Sequence, residues 1–409
     1  MVMPGFKQTE IGVIPEDWED KKLGDVGKDC MCKRIFADQT SDTGEIPFFK
    51  IGTFGKEADA YISRELYEDF KRRFSYPQRG DVLISAAGTL GRSVVFDGKD
   101  SYFQDSNIVW LDIDKEQLCN EYLYHYYKVI QWASSEGSTI ARLYNGIICN
   151  TYIAVPDVEE QKKIATVLSE VDELISLMEK QLSKKKAIKQ GAMQELLTGK
   201  KRLPGFSGDW QKFNLMKHSK IKARIGWQGL KKSEYLDSGY ALLVTGTDFA
   251  DGKVQWDSCH YVARDRYEQD RNIQIQNNDI LITKDGSLGK AALVQGLSKP
   301  ATLNSGIFVI RPLKNAYDPV FVYHILSSFV FKDFLDKLSA GSTIIHLYQK
   351  DVGKFEFLLP PAIEEQKAIA AVLSEMDADI AALEEKLAKY RQVKQGMMQQ
   401  LLTGKIRLV

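Results

Sequence analysis

Cysteine is scarce: Cys30, Cys32, Cys119, Cys149 and Cys259 are five in 409 residues, an odd number at irregular spacing. That excludes a disulfide framework and fits a reducing compartment. Cys30 and Cys32 form half of a metal-ligand pair, but no second Cys or His pair follows at ligand spacing, so two buried thiols are the plainer reading. No run approaches the ~18 apolar residues of a membrane span, and the opening MVMPGFKQTEIGVIPEDW lacks the apolar core of an export signal. A soluble, cytoplasmic chain with no membrane partner is expected. Net charge is also lacking, since 55 basic side chains balance 55 acidic ones. Attraction to a polyanion therefore requires the basic groups to gather on one face.

Catalytic signatures are missing as well. The glycine turns Gly88–Arg92 and Gly286–Lys290 lack the spacing of a nucleotide-binding phosphate loop. They read as tight hairpins needing positive φ, or as backbone-amide turns that bring Arg92 and Lys290 near a DNA phosphate. Glu160, Gln161 and Lys162 after Pro156 and Asp157 resemble a magnesium-nuclease signature, but the spacing is too short and the segment opens a helix, where acids belong. His125, His218, His260, His324 and His346 are scattered, with no nucleophile in a recognised pairing. Neither a glycine fingerprint for S-adenosylmethionine nor an Asn-Pro-Pro-aromatic tetrapeptide is present. No catalytic residue, metal or cofactor is assigned to the chain.

What is present is a duplication. Residues 159–203 match 364–408 without gaps at roughly 27 of 45 positions. Each copy has the period of one long helix. Ile164, Leu168, Val171, Ile175, Met178 and Leu182 alternate by four and three, as do Ile369, Leu373, Met376, Ile380, Leu383, Leu387 and Tyr390. Pro156 and the pair Pro360, Pro361 precede the helices, glutamates open them, lysines lie toward their ends, and Gly199 and Gly404 are placed to close them. About 40 helical residues span roughly 60 Å, a spacer rather than a core element, and one apolar stripe of that length needs a partner, most simply its own duplicate. A second stripe, Val167, Leu174 and Leu177 with Val372 and Ala381 or Ala382, packs on the globular parts or faces another protein. Lys185 and Lys189 fall on the seam beside Lys184 and Lys186, where they form a solvated basic face or meet DNA or a partner.

The segments before the helices carry short β-rich runs with turn residues between, which predicts α+β domains. They echo each other: Asp81–Ser85 then Gly88–Arg92 answers Asp279–Thr283 then Gly286–Lys290. Gly52-Thr53 pairs with Gly246-Thr247, Arg64–Tyr67 with Arg264–Tyr267, Gly137-Ser138-Thr139 with Gly341-Ser342-Thr343, and Leu143-Tyr144 with Leu347-Tyr348. The order is thus domain 1–155, helix 156–203, domain 204–360, helix 361–409, with near-constant helices and divergent domains in one pseudo-twofold frame. Clusters suited to binding are Lys33-Arg34, Lys71-Arg72-Arg73, Arg224 with Trp227 and Gln228, and Lys231-Lys232, although each alone also reads as solvated surface.

The whole chain resembles the specificity (S) subunit of type I restriction-modification systems. The resemblance rests on KQTEIGVIPEDW at 7–18, RLPGFSGDW at 202–210, the GDVLIS and NDILIT turns and the two Pro-x-x-Glu-Glu-Gln helix entries. It implies two target recognition domains separated by two long antiparallel coiled-coil helices. It further implies double-stranded DNA as ligand, two modification (methyltransferase) subunits docked on the chain, and restriction subunits in the full complex. S-adenosylmethionine, ATP and magnesium would belong to those partners. The recognised site would then be bipartite with unlike halves. Loop position and residue type nominate Lys33, Arg34, Lys50, Thr53, Arg224, Trp227, Gln228, Thr245 and Asp248 for base contact, with Arg92, Lys231 and Lys290 beside them. Three other readings stay open: an S-like subunit of another restriction-modification type, a coiled-coil scaffold whose end domains bind protein, and an enzyme with an unrecognised site.

Overall fold

A four- and three-residue apolar period makes a helix only if something covers the stripe, and the two repeats cover each other. In a computed structural model describing residues 4–132, 142–339 and 346–409, the repeats form continuous helices Val158–Leu196 and Ile363–Leu401. Gly199 and Gly404 end them with φ of +71° and +67°, the left-handed conformation glycine adopts without penalty. None of the predicted seam residues is exposed: Ile164, Leu168, Ile369 and Leu373 are fully buried, and Val171, Leu182, Met376 and Leu383 are half-buried.

The chain divides into two compact units, and each takes part of both helices: Met1–Glu179 with Glu385–Val409, and Lys180–Glu384. In each unit the helix segments run antiparallel, because residue numbers climb on one strand of every ion-pair ladder as they fall on the other. Asp172 pairs with Lys394 and Glu179 with Arg391 in the first unit; Lys185 pairs with Asp379 and Lys189 with Asp377 in the second. Lys184 and Lys186 stay exposed, whereas the seam lysines Lys185 and Lys189 are partly buried. They meet acids of the facing helix, joined by Lys186 and Glu384 at 2.6 Å. The second apolar stripe divides: Val167 and Val372 pack on the cores, while Leu174 and Leu177 stay exposed.

In the first unit an antiparallel sheet orders Gly27–Met31, Ile108–Ile113, Val82–Ser85 and Ser93–Val95, and a three-stranded sheet orders Tyr61–Ile62, Ile46–Phe49 and Tyr102–Phe103. The second unit repeats the plan. Ser219–Ala223, Ile307–Pro312, Ile280–Thr283 and Ala291–Leu293 take the same order, extended by two short strands, and His260–Val262, Ala241–Val244 and Ala301–Leu303 form the smaller sheet. A two-stranded ribbon joins each domain to its helix, Glu19–Lys22 with Tyr152–Val155 and Gln211–Asn214 with Glu356–Leu359. Each unit has two main cores, and the second adds a small cluster of Ala241, Leu243 and Val262. One main core lies between the sheets and the other between domain and helices, where Trp18, Ile153 and Leu168 meet Met398, Leu401 and Leu402 in the first unit, and Phe213, Phe357 and Leu373 meet Leu196 and Leu197 in the second.

The helix entries explain the Pro-x-x-Glu-Glu-Gln motif. Asp157 Oδ1 accepts from the amides of Glu159 and Glu160 at 3.0 Å and so caps the helix. The buried carboxylates Glu160 and Glu365 take two-pronged bonds from Arg407 and Arg202. Gln161 and Gln366 donate to Pro156 and Pro360 carbonyls, both at 2.8 Å. The residues of the nuclease-like string are thus occupied in holding the domain to its helix. Cys32 is buried in the first inter-sheet core, with burial pushing its thiol up to about 12. Among the described residues no helix is long and apolar enough to cross a membrane.

Candidate nucleic-acid interface

The nominated residues gather at two places in each domain. The first is the glycine hairpin and the loop it braces. Ser85 Oγ donates to Thr89 O and accepts from the Arg92 amide; Thr283 Oγ1 does the same with Ser287 O and the Lys290 amide. Gly88, Gly91, Gly286 and Gly289 all have positive φ, so the tight-hairpin reading describes these turns. Their basic residues bond to the braced loop's backbone: Arg92 Nη1 donates to Phe54 O at 3.0 Å, and the exposed Lys290 donates through Nζ to Phe249 O. The braced loops turn through equivalent local bonds. The Lys50 amide donates to Thr53 Oγ1 at 3.1 Å, and the Thr245 amide to Asp248 Oδ2 at 2.7 Å. Asp248 is buried by that turn, while Lys50 pairs with Asp59 at 2.9 Å.

The second place is the loop leaving the edge strand of the main sheet. In the first domain Lys33 lies over the Phe74 ring at 5.2 Å, Arg34 is bonded to Asp105 at 2.8 Å, and Phe36 is 59% exposed. In the second domain Trp227 is 77% exposed and Lys231 is exposed, but two neighbours depart from the expected surface position. Arg224 is only 2% exposed, with Nε bonded to Leu303 O at 2.8 Å and Nη2 to Thr302 Oγ1 at 3.2 Å. Gln228 is buried as well, and its Oε1 has no partner. Residue type places an arginine in a loop on the surface; here the chain folds over it.

Sequence reasoning passed over the side chains beside these loops. Tyr144 and Tyr348 follow the same leucine in each domain and are equally exposed at 55%. Arg142 lies over the Tyr144 ring at 5.9 Å, and Lys350 over the Tyr348 ring at 5.4 Å. The Leu-Tyr echo marked them, but only as scaffold. The Gly-Ser-Thr echoes at 137–139 and 341–343 lie outside the described residues. In the second domain a cavity of about 380 Å³ opens here, lined by Lys222, Arg224, Lys284, His346, Tyr348 and Gln349 among others. Exposed aromatics interleaved with cations suit stacking and phosphate contact.

These features define a duplicated recognition scaffold, two mixed domains on matched frames with unlike loops, each clasped by two helices. The family model for the type I restriction modification DNA specificity domain matches residues 15–187 and 209–392, and the chain belongs to that family. It is 26% identical to the putative type I restriction enzyme MjaX specificity subunit of Methanocaldococcus jannaschii, over 98% of this chain and 97% of that protein. It is 54% identical over 153 residues to the putative specificity subunit S.HindORF215P of Haemophilus influenzae, a match covering 37% of this chain and 40% of that protein. The crystal structure of a type I restriction-modification S subunit from M. genitalium shares the fold, with a TM-score of 0.64 at 15% identity over 98% of this chain and 99% of that one.

Proposed function

We propose that this chain supplies DNA sequence specificity to a type I restriction-modification complex, each domain reading one half of an asymmetric bipartite site. The observation that carries this reading is that equivalent positions on the two frames hold chemically different groups. Pairing of Met31 with Val109 and of Ala223 with Phe308 aligns the edge strands, so Cys32 in one domain stands where Arg224 stands in the other. The loops that leave these buried positions expose Phe36 in one domain and Ile225 and Trp227 in the other, and loops that differ in this way read different half-sites. The helix pair sets how many base pairs lie between the half-sites. Its exposed Leu174 and Leu177 belong to the surface on which two modification subunits dock.

Methylation and cleavage, with S-adenosylmethionine, ATP and magnesium, belong to the partner subunits, and restriction subunits join them in the full complex. The role of this chain is to bind and to aim. Methylome sequencing of the host with the gene intact and deleted tests the proposal. One bipartite adenine motif is expected to lose methylation on deletion, and an unchanged methylome would sink it. The purified chain should methylate nothing alone, with activity restored by the modification subunits.

A further inference from the structure

Among the described residues Arg224 has no ion-pair partner, and the acids that act on it, Asp270 and Glu234, do so only at longer range. Two of its three guanidinium nitrogens are committed to the neutral acceptors Leu303 O and Thr302 Oγ1, no carboxylate lies within ion-pair distance, and buried Nη1 has no partner. Burial, and then the like charge of Arg266, lower its pKa from the ordinary arginine value. A buried cation in this state costs several kcal/mol unless something neutralises it. Arg224 lines the cavity of about 380 Å³, and two more cations, Lys222 and Lys284, line it too. Among the described residues neither lysine makes an ion pair; Lys284 Nζ only lies over the Phe308 ring at 5.5 Å. One acid, Asp270, also lines the cavity and accepts from the amide and side chain of Asn272, while nearby Asp285 is bonded to His346, so the lining cations outnumber the lining acid.

We propose that this cavity holds one phosphodiester group of the DNA backbone, with Lys222 and Lys284 donating to phosphate oxygens and the buried guanidinium of Arg224 adding its charge. The proposal rests on the DNA-binding reading above and adds the site. A guanine edge is the other acceptor an arginine commonly takes, but guanine is read by a two-pronged guanidinium, and that of Arg224 is buried with two nitrogens committed. A phosphate needs only point charges such as the two lysines supply. The first domain holds Cys32 at the matching register, so the contact belongs to the second domain alone.

The test uses the full chain and a labelled random-sequence duplex, with affinity measured across a salt series for wild type, Lys222→Gln/Lys284→Gln and Arg224→Gln. Loss of one neutralised phosphate should reduce the slope of log affinity against log salt by about 0.9 and weaken binding roughly fivefold near physiological salt, uniformly across sequences. The lysine variant removes no internal hydrogen bond or ion pair, only the Lys284 contact with the Phe308 ring, so it decides the matter even if Arg224→Gln fails to fold. An unchanged slope, or a loss confined to particular base sequences, overturns the phosphate site. A second arm uses inorganic phosphate at constant ionic strength, which should raise the melting temperature of wild type and not of the lysine variant. If the wild-type chain binds no duplex while this difference persists, the DNA-specificity reading fails and the anion cavity stands. If the difference is absent, the cavity proposal fails.

Discussion

Arg407 closes a two-pronged bond on Glu160, 247 residues earlier in the chain, with Nε and Nη2 each 2.8 Å from a carboxylate oxygen. Trp18 Nε1 and the Leu408 amide complete the carboxylate's shell at 3.1 Å, and Arg407 also grips Asp17. The second unit repeats the arrangement with Arg202, Glu365 and the Trp210 ring. Glu160 is 1% exposed, whereas the Arg407 side chain is 26% exposed. Removing one partner of a buried pair costs about 3–5 kcal/mol, and the partly wet arginine reduces that. Arg407→Ala is expected to lower unfolding free energy by about 2–3 kcal/mol in urea titration. A change below about 0.5 kcal/mol would refute the role given to the pair.

The same carboxylate sets an acid limit. Burial pushes the Glu160 pKa up, but the bonds from Arg407, Leu408 and Trp18 outweigh it, and the net shift is downward from 4.5. A carboxylate depressed in the folded state contributes stability that is present above its unfolded value and lost as pH falls through the folded one. Stability should therefore decline below about pH 4.5, and Glu160→Gln should flatten that decline while lowering stability at neutral pH. Urea midpoints between pH 3 and 7 give the comparison.

His125 and His324 are matched as well. Each Nε2 meets a serine of the adjoining helix, Ser169 at 2.9 Å and Ser374 at 3.2 Å, and each Nδ1 is buried without a hydrogen-bond partner. Burial lowers both pKa values from 6.5 to about 4. Protonation thus favours the unfolded chain. The stabilising preference for the neutral ring is complete above about pH 6.5 and falls away toward pH 4, at up to about 1.4 kcal/mol per pH unit for each histidine. His125→Gln should reduce the slope of stability against pH in that window. Identical slopes in wild type and variant would show that the ring does not titrate as its burial requires.

At the hairpins, Gly91 has φ +73°, and an added Cβ would stand 2.0 Å from Trp132 Nε1; Gly289 has φ +75°, with Leu335 Cδ1 at 2.2 Å. Alanine at either position combines left-handed strain with a clash, a cost of about 1–3 kcal/mol. Gly91→Ala should exceed Gly289→Ala because an indole yields less readily than the end of a leucine. Thermal melts of the two variants read the order directly.

If the helices measure the spacer, one heptad inserted into both, between Glu179 and Lys185 and between Asp379 and Arg391, should lengthen the unread segment and leave both half-sites unchanged. Selection from a randomised duplex reports both quantities. An altered base preference within a half-site would refute the ruler.

The helices were legible because their period, caps and duplication agree over 39 residues. The ion pairs between them were not, since Lys185 and Lys189 look solvated until Asp379 and Asp377, nearly half the chain away, come alongside. Lys33, Arg34, Trp227 and Lys231 lie exposed in the loops that nominated them, whereas the exposed Phe36 carried no signal. Arg224 is not exposed, because its environment is made by Leu303 and Thr302 from a strand of the smaller sheet, and no local pattern announces that. Arg92 and Lys290 were legible as hairpin companions, but their bonds to Phe54 and Phe249 depend on a loop some 40 residues upstream.

Because Met398, Leu401 and Leu402 fill the core beneath Trp18 and Leu168, the first module stays unfinished on the ribosome until residues 385–409 have been made. The second module, contained within 180–384, can mature earlier. A frameshift just after Glu384 would therefore unravel the half of the protein that was translated first.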